Sequence, residues 1–113
     1  MLERIEDAPA AALALAATGT VMARDVALAV ESGLTPGATG LVVVIGADFD
    51  GYMAEVERGL AEVAAAHARL GRIALVVGPG QEDEARVGGP AAPVRVFAAS
   101  ERRAALDWAA ADG

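Results

Sequence analysis

Residues 41–46, LVVVIG, are apolar at every position, and RIALVVG over residues 72–78 repeats the pattern after its first residue. Neither run has a polar parity that could face water, so each must be covered on both sides. That is the condition of a central strand in a parallel sheet with crossover helices packed on it. The intervening segments have helical spacing. Residues 52–70 carry Met53, Val56, Leu60, Val63, His67 and Leu70 at intervals of three and four, and Glu55, Glu57, Arg58, Glu62 and Arg69 fall off that stripe and are expected to face water. Residues 22–33 put Met22, Val26, Ala29 and Val30 on one face and end at Gly33, which is placed as a helix stop.

The remaining segments extend this alternation. Residues 1–7 read as a weak strand, and Pro9 separates it from a strand over 12–18, where Leu13, Leu15 and Ala17 alternate with smaller side chains before Gly19 ends the run. VRVFA, 94–98, is a further strand. Ser100 is placed to cap a last helix, 101–111, with Ala104, Ala105, Trp108 and Ala109 turned inward. Residues 78–93 have a helix's place in the series but a loop's composition; Gly88, Gly89, Pro90 and Pro93 limit any helix to a turn or two, and the segment is expected to be mobile. The pattern predicts one α/β domain over residues 1–113, with a mostly parallel sheet of four or five strands.

Composition narrows the functions open to such a domain. A chain of 113 residues can bury roughly two-thirds of its unfolded surface without metals or disulfides. There is no Cys, so a disulfide framework, a thiolate nucleophile and a Cys-ligated zinc are excluded. All nine basic residues are Arg, and with no Lys every lysine-dependent mechanism is removed. A net charge of −7 repels phosphate backbones and anionic head groups, which argues against nucleic acid as a partner. No apolar run is long enough to span a bilayer. The apolar stretch 8–17 follows an acidic segment, where a signal peptide would be basic, so a cytoplasmic location is expected.

The chemistry-bearing candidates gather after the first two-sided strand. DFDG, 48–51, resembles the first motif of haloacid-dehalogenase-type phosphotransferases, in which one Asp attacks phosphorus. That chemistry also needs a Lys and further Mg²⁺-holding carboxylates; the Lys is missing, and Gly46 and Ala47 set Asp48 back from the strand end. The alternative is structural. Asp48 and Asp50 at a helix start would accept its unpaired N–H groups, with Gly51 easing the junction. Phe49 and Tyr52 flank the loop and suit either recognition or packing. His67, the only His, lies on an apolar stripe and is expected at the edge of the core. Neither Ser32 nor Ser100 lies in a nucleophile elbow. GPG, 78–80, lacks a full glycine fingerprint and is followed by acidic residues 82–84, so it reads as a turn. No enzyme activity, cofactor or metal is expected.

The order of several pieces resembles the SpoIIAA-like family, small bacterial proteins with the STAS fold of anti-sigma-factor antagonists. These pieces are Gly19, Val21, Ala23 and Asp25 at the first helix, the acidic-aromatic loop 48–52, and Phe97, Ala105 and Trp108 near the end. The likeness runs through essentially the whole chain. It implies a mixed sheet with its first strand antiparallel to the rest, about four helices with the third shortened to segment 78–93, and a non-enzymatic interaction or regulatory domain. Antagonists of this fold carry a phosphorylatable Ser or Thr where the central strand meets the second helix, whereas no Ser or Thr occurs between Gly40 and Ala99. Asp50 could at most imitate the phosphorylated state. The fold also resembles CRAL-TRIO lipid-binding domains, which implies an alternative as a small apolar-ligand carrier with transient membrane association. On the first reading Asp48, Phe49, Asp50, Gly51 and Tyr52 contact a protein partner. Self-association as a homodimer stays open.

Overall fold

The computed structural model describes residues 2–6, 11–34, 37–51, 53–67, 70–78 and 94–111, with the backbone alone for Ala47. Five strands, β1 (Leu2–Arg4), β2 (Ala12–Gly19), β3 (Gly40–Phe49), β4 (Arg72–Val77) and β5 (Val94–Ala98), alternate with α1 (Ala23–Gly33) and α2 (Met53–Ala66). A 3₁₀ turn (Ala99–Glu101) leads into α3 (Arg102–Ala110). The strands form one mixed sheet in the order β1-β2-β3-β4-β5, with β1 antiparallel to β2 and every other pair parallel. Three α-helices and the 3₁₀ turn are present among the described residues. Residues 79–93, where the shortened third helix and the mobile segment were expected, lie outside them.

The two-sided strands have cores on both faces. On one, Leu13 and Leu15 of β2, Leu41 and Val43 of β3 and Ile73 and Leu75 of β4 pack against Val26 and Val30 of α1 and Val56, Leu60 and Val63 of α2. Leu41, Leu60, Ile73 and Leu75 are almost completely buried, and truncating any of them to Ala should cost about 2–5 kcal/mol. The opposite face is built from smaller side chains, Ala12, Ala14, Val42, Ala74 and Val76, against Ala105, Leu106 and Ala109 of α3. Small side chains let α3 approach closely. A Cβ on Gly40 would land on the carbonyl oxygen of Ala109 and lie 2.6 Å from its carbonyl carbon.

Several helix details depart from the periodicity reading. Met22 is the N-cap of α1 and 47% exposed, and its expected place on the buried face is taken by Ala23. Gly33 ends α1 as expected, though without a positive φ, and Leu13 Cδ1 would lie 3.1 Å from an added Cβ there. Ala104 faces water and Leu106 is buried, so the inner face of α3 is rotated from the expected stripe. Ser100 lies inside the 3₁₀ turn and does not cap α3; Glu101 Oε1 accepts the Ala98 N–H at 3.0 Å instead. The α2 helix ends at Ala66. His67, half-buried, still donates its N–H to Val63 O at 2.9 Å, and Leu70 N–H then turns back to His67 O at 3.0 Å.

Candidate functional site

The central strand runs past Gly46 to Phe49, farther than its apolar run suggests. Ala17 pairs with Ile45 and Gly19 with Phe49, so two steps along β2 match four along β3. The extra residues form a bulge, a device that bends a strand and re-aims its side chains. Gly46 fits there because an added Cβ would lie 3.0 Å from Ala17 O and 3.3 Å from Asp48 Oδ1. Asp48 therefore projects as an exposed residue of a strand, and the helix-start position expected for it is not observed.

Asp50 is bound to the neighbouring loop. Its N–H donates to Gly19 O at 3.0 Å, and its Oδ1 accepts the Thr20 hydroxyl at 2.9 Å. Gly19 has φ +60°, the left-handed region that Gly enters without a Cβ penalty, and this turn brings Thr20 to Asp50. Asp50 thus joins the β2–α1 loop to the β3–α2 loop. Gly51 permits a close approach, since an added Cβ would lie 3.1 Å from Val21 N and 3.3 Å from the Phe49 ring. Phe49 is half-buried and packs on the larger core. Tyr52 lies outside the described residues.

Two further carboxylates organise this end of the sheet. Asp25 Oδ2 accepts the Met22 N–H at 2.9 Å, the backward half of a capping box. Glu55, expected to face water, is half-buried: Oε1 accepts the Ala23 N–H at 3.1 Å and Oε2 pairs with Arg58 at 2.7 Å. One side chain on α2 thereby satisfies an N–H at the start of α1. Thr20 and Glu55 are the residues local reasoning missed. The only local signal was Glu55's place in the first turn of α2.

The result is a pair of exposed carboxylates, Asp48 near the end of β3 and Asp50 tied to the β2–α1 loop. Among the described residues no group of three or more His, Cys, Asp or Glu side chains could hold a metal ion. The strands follow one another in sequence order without reversing direction across the sheet. Among the described residues this order therefore contains no topological switch point of the kind at which α/β sheets commonly open a ligand crevice. Segment 78–93, the expected shortened third helix, lies almost wholly outside the described residues. Among the described residues no helix is long and apolar enough to cross a membrane.

Fold and site together define an α/β domain with a mixed sheet, five-stranded among the described residues, and an acidic loop at the carboxyl end of its central strand. No family model, curated protein or solved structure matches the chain.

Proposed function

We propose that the chain is a non-enzymatic interaction module of SpoIIAA-like type. Its contact face comprises Asp48, Phe49, Asp50, Gly51 and Tyr52 together with the start of α2. The observation that carries this reading is the double attachment of Asp50 to Gly19 and Thr20. A loop held in place before contact loses little conformational freedom on binding, so more of the contact energy appears as affinity. Asp48 and Asp50 supply a charged rim to this face, as the edges of protein interfaces usually have. The partner surface is accordingly basic. A carboxylate at position 50 gives the loop a permanent negative charge where antagonists of this type of fold acquire one by phosphorylation.

Asp48→Arg tests the reading, because it inverts a rim charge and leaves the Asp50 attachments intact. Copurified partners should bind on the order of tenfold more weakly, while Glu62→Arg on the exposed side of α2 should bind as wild type. Equal binding by both variants, with circular dichroism unchanged, would refute the assigned face.

A further inference from the structure

The α3 face carries a cluster remote from the acidic loop. Arg72 opens β4 and pairs with Gly40 at the start of β3, the opposite end of that strand from Asp48. Arg95 of β5 pairs with Ala74, so Arg72 and Arg95 rise from the same face as diagonal neighbours on adjacent strands. Both reach Trp108, the only Trp in the chain. The guanidinium carbons lie 5.4 Å (Arg72) and 5.8 Å (Arg95) from its ring centroid, and Arg95 is also 5.0 Å from the Phe97 ring. Phe97 and Trp108 themselves meet at 5.7 Å, tilted by 53°. Arg72 Nη1 donates to Trp108 O at 3.1 Å, which holds one guanidinium in place.

Other arginines of this acidic chain take carboxylate partners from their own helices. Arg58 meets Glu55 at 2.7 Å and Arg103 meets Asp107 at 3.6 Å. Among the described residues Arg72 and Arg95 have no carboxylate partner, and aromatic faces take its place. A guanidinium resting on a ring keeps its fork of N–H donors available at its edge, and that fork matches a carboxylate in a bidentate pair. The chain's negative field disfavours an extended polyanion, so the occupant is compact.

We infer that Arg95 and Arg72, stacked on Trp108, form a carboxylate-binding site on the α3 face, for a small carboxylic acid or an acidic peptide side chain. The inference is independent of the proposed docking loop. Trp108 fluorescence reports on it directly. Titration with succinate, and separately with a short Glu-containing peptide, at ionic strength fixed with chloride should give a saturable change with a midpoint in about the millimolar range. Arg95→Gln should abolish the change, Arg95→Lys should weaken it several-fold, and Arg103→Gln should leave it unaltered. Tighter binding of the peptide assigns the site to a protein partner, and tighter binding of succinate assigns it to a small acid. No saturable response in the wild-type protein, or an equal response in folded Arg95→Gln, would overturn the site. Inorganic phosphate saturating at the same midpoint would overturn its assignment to carboxylates.

Discussion

Gly59 lies on α2 where the helix crosses α1, and replacing it with Ala sets two effects of known size against each other. At an unhindered helix position the change would stabilise the protein by about 1 kcal/mol, because Gly loses more backbone freedom on folding than Ala does. Here the added Cβ would lie 2.7 Å from Val26 Cβ and 2.9 Å from Ala23 O. Carbon atoms pack at about 3.5–4.0 Å, so the helices must separate locally by most of an ångström. Neither neighbour can rotate away, since one is a backbone oxygen and the other the stem of a β-branched side chain. Overpacking of this kind costs about 1–3 kcal/mol, and opposing strain to the propensity gain leaves a net loss of about 1 kcal/mol. Separation also stretches the 3.1 Å bond from Ala23 N–H to Glu55, which adds to the loss. Urea unfolding followed by circular dichroism should show a lower midpoint with an unchanged slope. Ala61→Gly, at an exposed position on the same helix, calibrates the propensity term. A midpoint for Gly59→Ala raised by as much as Ala61→Gly lowers it would refute the close α1–α2 contact.

Two other substitutions test the remaining contacts. Gly40→Ala forces a Cβ onto the Ala109 carbonyl and should cost about 2–3 kcal/mol, with a shift in Trp108 fluorescence as α3 is displaced; an unchanged spectrum and midpoint would contradict the packing of α3. A double-mutant cycle of Thr20→Val and Asp50→Ala, read by chemical denaturation, should give a coupling energy of about 0.5–1.5 kcal/mol, and strictly additive effects would show that the two loops are not joined through this pair.

The strands were legible because each is marked by its own hydrophobic pattern, and the apolar runs in β3 and β4 correspond to strands with a core on both faces. The end of β3 was not. Gly46 and Asp48 are poor strand formers, and a bulge is defined by its partner strand, which no local window contains. The inner face of α3 was misplaced because an Ala-rich helix offers several small-residue stripes; burial of Leu106 depends on which one the sheet accepts. Capping logic assigned Asp48 and Asp50 to the nearer helix, whereas Asp48 lies in β3 and Asp50 bonds to the β2–α1 loop. The bonds that organise the site, Thr20 to Asp50 and Ala23 to Glu55, span 30 and 32 residues, so only the assembled sheet brings their ends together.

The strand order has a consequence for how the chain acquires its structure. Each strand pairs with the one made just before it, so contacts accumulate from the amino terminus and no strand must wait for a distant partner to be synthesised. The α3 helix breaks this rule. It follows all five of these strands in the sequence, yet it lies across β2, β3 and β4. Until it docks, Ala12, Ala14, Val42, Ala74 and Val76 present one continuous apolar face to solvent, so the nascent domain has a well-paired sheet before it has a second core. The interval between pairing of the sheet and docking of α3 is therefore the most aggregation-prone in the folding of this domain.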